Sequence, residues 1–459
     1  MIARTRFRRA LPGPSRALVF GFAAAILAGA ALLALPTANA DGAWHWDIDR
    51  LFVSTSAVCV TGLDPIGVGS ALSGFGLAVL AILVQLGGIG IMTTGTFLFA
   101  AFGRRLTVSE ERSVSSSLGD IRPRDIRRIL LDTFAFTLAW EAAGAAVLAM
   151  RLAKLHPDWS VAKACLAGTF FSEMSFCNAG FSLFPNGFGP LIGDGPSVAA
   201  SVALSLVGGI GFVVHAHLLS LRPWRKNRLE RGHLPLHARL VLEGLAAVVA
   251  LDLAVYLALE WRGAYADMGG AGKFAAALFQ AFSSRSSGFS SVPVESFGAA
   301  TLLFTALMMF VGAAPGSTGG GLKTTTVSVL FATVRAMFAG RETPELHGRS
   351  LPRRAVNDAI AVLALSLAIV LACAFALLAV ERPGPARAQA LFFEAVSAFV
   401  NNGLEIEGTT AGLSAASKAA LMLAMFTGRL GPVTLVLTLF RDGSADKSKR
   451  FPEENVVVG

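Results

Sequence analysis

The sequence predicts an all-α polytopic membrane protein made of four pseudo-repeated helix–pore-loop–helix units, eight spans in all, around a central pore. Composition is the first observation. Of 459 residues, 54% are hydrophobic and only 15% charged, with a mean hydropathy of +0.62, whereas an ordinary soluble domain is about 25% charged. The second is an alternation of long apolar segments with shorter, half-polar ones that end at a glycine. The third is a second glycine motif that follows each of those glycines at a nearly constant distance. Together these exclude a disordered chain and a secreted disulfide scaffold, and they argue against a soluble enzyme.

The half-polar segments are Thr55 to Leu63 (TSAVCVTGL), Ser172 to Phe181 (SEMSFCNAGF), Ser283 to Phe289 (SSRSSGF) and Ser397 to Leu404 (SAFVNNGL). In each, small or polar residues lead to a glycine that a large apolar residue follows. The second signal is Gly87-Gly88-Ile89-Gly90, 25 residues after Gly62, and Gly208-Gly209-Ile210-Gly211, 28 after Gly180. Gly312 opens a longer glycine run 24 after Gly288, and Gly428-Arg429-Leu430-Gly431 lies 25 after Gly403. One glycine pair in a membrane helix is a common packing device. Four pairs at matched spacing read as an internal repeat.

The unit is therefore a helix, a re-entrant half-helix with its glycine loop, and a second helix. The outer helices are expected at about 17–38 and 72–101, 129–150 and 196–220, 238–261 and 299–338, and 356–381 and 413–440. The half-helices should end near Val58, Phe176, Ser284 and Val400; at about 10–15 residues they are too short to span. This divides the chain into a cytoplasmic N-terminus 1–16, repeat 1 at 17–103, a loop 104–128, repeat 2 at 129–221, a loop 222–237, repeat 3 at 238–338, a loop 339–355, repeat 4 at 356–440 and a tail 441–459. The first apolar run, from Ala17 to Leu35, follows five arginines and precedes Ala38-Asn39-Ala40, which resembles a signal peptide with its cleavage site. Its length and its place in the repeat favour a retained helix.

Charge sets orientation. The chain has 39 Lys and Arg against 30 Asp and Glu, a net +9. In a membrane protein such an excess marks cytoplasmic loops rather than a nucleic-acid partner. The termini and the loops on their side of the membrane hold 27 basic residues, and the opposite side holds 9. Both termini are thus expected in the cytoplasm, and the half-helices enter from outside. Arg285, Lys323 and Arg429 fall within membrane segments. Cys59, Cys165, Cys177 and Cys373 lie in apolar surroundings without metal or disulfide spacing and read as reduced, buried small residues.

Non-helical backbone at membrane depth is tolerated where protein buries it or it lines water. A half-helix entering from outside aims its C-terminal end, about −0.5 of a charge, at the membrane interior, which favours a cation. Glycine there lets carbonyls turn inward, and rings of carbonyls can replace the water shell of an alkali ion. The three residues ending at each loop glycine include no carboxylate, which suits K⁺ or Na⁺ in passage better than a bound divalent ion.

The segments TSAVCVTGL, Cys177 to Phe181 (CNAGF), Gly87 to Thr93 (GGIGIMT) and Pro315 to Thr326 (PGSTGGGLKTTT) resemble the Ktr/Trk/HKT superfamily of potassium transporters. With one span before the first pore loop, the chain is most similar to the Ktr-type membrane subunit. The resemblance covers about residues 17 to 440. It implies potassium uptake across the plasma membrane, here the bacterial cell inner membrane, through a multi-pass homodimer with one pore per protomer. It also implies assembly with a cytosolic nucleotide-binding regulatory ring. Ktr-type transport is often Na⁺-dependent, so Na⁺ is an expected coupling or regulatory ion, and no cofactor is expected. The carbonyls of a K⁺ selectivity filter would come from Val60-Thr61-Gly62, Asn178-Ala179-Gly180, Ser286-Ser287-Gly288 and Asn401-Asn402-Gly403. The third and fourth depart from the family pattern, the fourth towards a more polar, acidic sequence. Glu405 and Glu407 read either as a cation-concentrating outer mouth or as ordinary solvated loop charges.

The segment 297–337 would reach about 60 Å as one helix, twice the hydrocarbon thickness, so it must break. Gly312, Pro315, Gly316, Ser317, Thr318, Gly319, Gly320 and Gly321 mark the place and read as a movable gate just inside the filter. A nucleotide P-loop is excluded by Leu322 standing between Gly321 and Lys323. A buried guanidinium is costly unless paired or hydrated, so Arg429 is placed near the pore as an electrostatic barrier that touches the gate. Lys323 either faces the pore or snorkels to the cytoplasm. Arg285 is expected to brace the filter's outer side through carbonyls, with Glu141 and Glu173 as candidate partners of these cations. The alternative reading is an ion-coupled secondary transporter with broken helices; it predicts inverted or twofold repeats, whereas here four units recur in one orientation. No HExxH motif, and no GxSxG with a His partner, supports an enzyme.

Overall fold

The computed structural model describes residues 14–90, 126–185, 187–211, 214–215, 236–315, 317–341, 343–406 and 408–432. In chain order its principal helices are α1 (Pro14–Leu33), α2 (Ile48–Cys59), α3 (Gly74–Ile89), α4 (Ile126–Leu155), α5 (Val161–Cys177) and α6 (Gly195–Gly209). They continue with α7 (Leu236–Glu260), α8 (Gly270–Phe282), α9 (Ala299–Phe310), α10 (Thr324–Phe338), α11 (Arg353–Glu381), α12 (Pro385–Val400) and α13 (Ala415–Leu430). The fold is mostly helical, as the sequence predicts. The exception among the described residues is an antiparallel pair, β1 (Glu345–Leu346) with β2 (Arg349–Ser350), in a stretch expected to be a plain loop. His347 and Gly348 at its turn have positive φ, and the His347 ring meets Glu243 at 2.8 Å.

Side chains from the preceding loop start several helices. Asp47 accepts the Arg50 N–H at 2.9 Å, Ser73 that of Gly76 at 3.2 Å, Ser160 that of Lys163 at 3.2 Å and Asp194 that of Ser197 at 3.1 Å. Each satisfies one of the amides a helix start leaves free. The helices group locally: α2 lies between α1 and α3, α5 between α4 and α6, and α12 against α11 and α13, while α7 contacts α8 and α9. Small residues set the spacing inside a group. Gly29 faces Leu83 and Ser54, and Gly144 faces Leu204 and Ser172 in the same arrangement. Ser54 donates to the Ile26 carbonyl at 2.6 Å and Ser172 to that of Glu141 at 2.7 Å. Groups meet in sequence through α3 with α5, α6 with α8 and α9 with α12, and α13 returns to α2.

The boundaries correct the expectation in one respect. The second helices of the first, second and fourth groups were expected to run through their glycine motifs. Instead α3, α6 and α13 stop at Ile89, Gly209 and Leu430, and Gly90, Gly211 and Gly431 follow at φ 90°, 80° and 85°. Such angles suit glycine and interrupt a right-handed helix. The break expected only at 312–321 thus has a counterpart in every group. Among the described residues, three stretches are long and apolar enough to cross a bilayer by length and composition: Phe134–Leu155, Leu236–Glu260 and Arg353–Glu381. The portions of the expected helices at 91–101, 216–220 and 433–440 lie outside the described residues.

Candidate ion pathway

Three of the four half-polar segments end in one local geometry. Val60, Asn178 and Asn401 are left-handed, at φ 58°, 59° and 53°. The next residue turns its N–H back five positions: Thr61 to Ser56, Ala179 to Met174 and Asn402 to Ser397, at 2.7, 2.8 and 3.0 Å. This is a Schellman helix end. It satisfies the last helical carbonyls, and beyond the first cap the Thr61 carbonyl accepts the Gly180 amide at 3.4 Å. The Gly62 and Gly403 amides are held by the hydroxyls of Ser56 and Ser397 at 3.0 and 3.1 Å. The third segment differs. Here α8 widens into a π turn, Ser283–Ser287, and the left-handed residue is Gly288 itself at φ 68°.

The four loop glycines adjoin in cyclic order. A Cβ on Gly62 would lie 2.2 Å from the Gly180 nitrogen, and one on Gly180 would lie 2.9 Å from the Gly288 oxygen. One on Gly288 would lie 2.1 Å from the Asn402 oxygen, and one on Gly403 would lie 2.0 Å from the Thr61 oxygen. The structure therefore brings the four predicted filter segments together into a closed ring. The polar side chains of the fourth segment point into the neighbouring loops. Asn401 donates to the Thr61 hydroxyl and the Met425 carbonyl, both at 3.0 Å. Asn402 donates to the carbonyls of Ser283 and Ser284, also at 3.0 Å.

The second glycine signal has a geometric reason. A Cβ on Gly87, Gly208 or Gly428 would sit 2.2, 1.9 or 1.7 Å from the carbonyl oxygen of Val58, Phe176 or Phe399. Each of these carbonyls lies four residues before its loop glycine. Only glycine lets the second helix approach the half-helix end that closely. Gly312 is the exception, since its Cβ would meet the Gly320 oxygen at 2.1 Å.

On one side of the ring opens a cavity of about 420 Å³ lined by Gly62, Gly180, Gly288 and Gly403 and by the carboxylates Asp64, Glu295 and Glu405. None of its lining residues is basic. Asp64 is already engaged, accepting the amides of Ile66, Gly67 and Val68 at 3.1, 3.0 and 2.6 Å. Glu407 lies outside the described residues.

The glycine-rich loop lies on the other side, against the half-helix ends. Its base is zipped: Gly312 donates to the Leu322 carbonyl at 2.8 Å and Leu322 to that of Phe310 at 3.2 Å. Asn178 donates to the Thr318 hydroxyl at 2.7 Å, and the Thr318 amide reaches the Gly208 carbonyl at 3.4 Å. Gly320 leaves room for the Val400 carbonyl, 2.3 Å from where its Cβ would be. Ser317 folds onto the Ala314 carbonyl at 2.6 Å, and Pro315 stands half-buried beside it. Gly316 is outside the described residues. Arg429 donates to the carbonyls of Thr318 and Gly87, which fastens the loop to the first group. Lys323 donates to the Gly319 carbonyl at 2.7 Å. Among the described residues neither cation has a carboxylate at ion-pair distance.

Three expectations change. Arg285 braces the side facing the glycine-rich loop rather than the opposite one: its guanidinium donates to the Gly312 carbonyl at 3.1 Å. Glu141 and Glu173 are not the partners of the membrane cations. Glu141 accepts from Gln85 at 3.2 Å and lies 3.9 Å from the Cys177 sulfur, while Glu173 Oε1 has no hydrogen-bond partner. An acid beside the same turn is Asp252 on α7, which takes a long contact from the Ser284 hydroxyl at 3.5 Å and which sequence reasoning passed over because an acid within an apolar helix announces no partner. All four cysteines are free, but Cys165 is exposed on α5 rather than buried.

The profile of the TrkH family, described as "Cation transport protein", matches residues 30–449. The chain is 32% identical over 449 residues to the Ktr system potassium uptake protein B of Bacillus subtilis (strain 168), covering 97% of each chain. It is 29% identical over 464 residues to the potassium/sodium uptake protein NtpJ of Enterococcus hirae, covering 100% of both. Among solved structures, the potassium transporter TrkH from Vibrio parahaemolyticus shares the fold with a TM-score of 0.70 at 20% identity, over 92% of this chain and 83% of that one. The chain belongs to the TrkH family of cation transport proteins.

Proposed function

We propose that this protein takes up K⁺ across the plasma membrane through a selectivity filter formed by the four glycine loops. The cyclic closure of Gly62, Gly180, Gly288 and Gly403 carries the reading. Four helix ends aim the negative ends of their dipoles at one axis, and carbonyls beyond each cap replace the ion's water. Val60, Thr61, Asn178, Ala179, Ser286, Ser287, Asn401 and Asn402 supply carbonyls along with the glycines. Asn178, Asn401 and Asn402 also tie their loops to the gate or to each other. The carboxylates of the outer cavity concentrate cations at its mouth. The four groups act as repeated units of two spans and one half-helix, eight spans in all.

The loop from Gly312 to Gly321, with Lys323 and Arg429, is the gate. It lies under the ring and is held by hydrogen bonds from Asn178 and Arg429, contacts that can be exchanged without unfolding a helix. Both termini face the cytoplasm, where the basic loops offer a docking face. The name of the Bacillus subtilis relative, protein B of a system, supports a partner subunit; we assign it to a cytosolic nucleotide-binding regulatory ring on a homodimer of this chain. The "potassium/sodium" name of the Enterococcus hirae relative supports Na⁺ as a coupling ion.

Expression in cells that lack K⁺ uptake tests the proposal. Growth at low K⁺ should be restored, more strongly with Na⁺ present, and Rb⁺ should compete with K⁺ better than Na⁺ does. Absence of rescue by membrane-inserted protein co-expressed with its native soluble partner would refute K⁺ uptake. Purification from the native source should also recover a cytosolic nucleotide-binding protein, and regulated transport by the bare subunit would refute that part.

A further inference from the structure

The third loop departs from its counterparts where it meets the gate. Its π turn carries Arg285, 6% exposed, whose Nη2 donates to the carbonyl of Gly312, the first residue of the gate loop, at 3.1 Å. Gly87, Gly208 and Gly428 lie directly on half-helix carbonyls, whereas Gly312 faces Gly320, so a side chain spans what elsewhere is backbone contact. Next to the turn is Asp252, fully buried in α7. Among the described residues its Oδ2 receives only a long contact from the Ser284 hydroxyl at 3.5 Å, and its Oδ1 has no hydrogen-bond partner. Arg285 Nε is likewise without one. Among the described residues the two side chains close no direct ion pair. A cavity of about 20 Å³ beside Arg285, walled by Ser205, Gly209 and Ala313, is large enough for one water. Buried charges with unmet hydrogen-bonding capacity are costly, and π turns cluster at functional sites.

We propose that Arg285 is a two-position link between the gate and the third filter loop. It holds Gly312 while the gate loop blocks the path, and it turns to Asp252 when the loop withdraws. Because Arg285 sits inside the π turn, the exchange re-aims the carbonyls around Gly288, so ion discrimination depends on the state of the gate. By reciprocity, an ion in the filter must bias the gate by the same factor. The inference rests on the gated-pore reading. Arg285 acts through its neighbours and is a positioning residue.

Rb⁺ flux and its competition by Na⁺, measured in proteoliposomes at matched protein, test the link. Arg285→Gln should raise flux roughly 5-fold or more and weaken discrimination against Na⁺ together. Arg285→Lys, which keeps a donor for Gly312, should restore most of both. Asp252→Asn removes the competing partner and should lower flux. In an Arg429→Ala background, where the gate loop is already loosened, Arg285→Gln should change flux less than about 2-fold. Discrimination that shifts while flux does not, or effects of Arg285 and Arg429 that simply multiply, would show that Arg285 only braces the filter and would overturn the link. Should Arg285→Gln fail to fold, the near-isosteric Asp252→Asn decides, and raised or unchanged flux refutes the link. Gly403→Ala in the same assay separates the two readings, because unaltered discrimination in that variant would sink the pore itself.

Discussion

Alanine at each loop glycine should produce an unequal series, with Gly180 the mildest. A Cβ at Gly403 would stand 2.0 Å from the Thr61 oxygen, about 1.4 Å short of the 3.4 Å at which ordinary contact begins. The obstacle is backbone, which cannot rotate away. Gly403 also sits at φ 92°, Gly62 at 102° and Gly288 at 68°, where a side chain adds strain of about 1–2 kcal/mol. Overpacking adds roughly 1–3 kcal/mol. Gly180 has no positive φ, and its nearest neighbour would be 2.9 Å away, about 0.5 Å short. Filter geometry must be held to about 0.5 Å, which the first three exceed and Gly180 barely reaches. If half of a cost near 3 kcal/mol falls on the ion-bound state, K⁺ over Na⁺ discrimination drops about 10-fold. Gly62→Ala, Gly403→Ala and Gly288→Ala should show such a loss, and Gly180→Ala less than about 3-fold. The assay is Rb⁺ uptake under graded Na⁺ competition, with detergent chromatography to verify folding. Equal losses at all four positions, or the greatest at Gly180, would refute the ring geometry as the cause.

Deleting Ser317 to Gly320 should raise cation flux markedly and reduce dependence on the regulatory partner; unchanged or lower flux in a folded variant would reduce the loop to a packing feature. Arg429→Ala should act in the same direction but more weakly, since it frees Thr318 and Gly87 while the steric block remains. The Lys418–Asp49 pair, 2.6 Å with Lys418 5% exposed, ties α13 to α2 where the chain closes on itself. Lys418→Met should cost about 1–3 kcal/mol of stability, read as a lowered Tm, and adding Asp49→Asn should recover part of it. The Arg151 guanidinium, with help from Ser197, holds Asp194 down to about 2. A carboxyl depressed from its unfolded value of 3.8 contributes stability above pH 4 and loses it as the pH falls towards 2. Asp194→Asn should flatten the Tm profile across that window, and an unchanged profile would remove the pair from the account.

Two features of the sequence foretold a mostly helical molecule with its glycine loops brought together. Hydropathy marked the helical segments, because a bilayer demands apolar length. The paired glycines marked the ring and its support, because a backbone approach near 2 Å tolerates no Cβ, and Gly87, Gly208 and Gly428 record that requirement residue by residue. What the sequence left open depends on residues far apart in the chain. Arg429 finds the Gly87 carbonyl 342 positions away, Asn401 finds Thr61 340 away and Asn178 finds Thr318 140 away. A donor's type says that it needs an acceptor, not which one, and carbonyl acceptors carry no sequence signature. The same holds for Arg285. Its residue type foretold a brace on carbonyls, but only the π turn and the displaced Gly312 decided that the brace faces the glycine-rich loop. Hydropathy and glycine position are local properties that the chain itself determines; the direction of each buried polar group was decided when the four helix ends closed on one another.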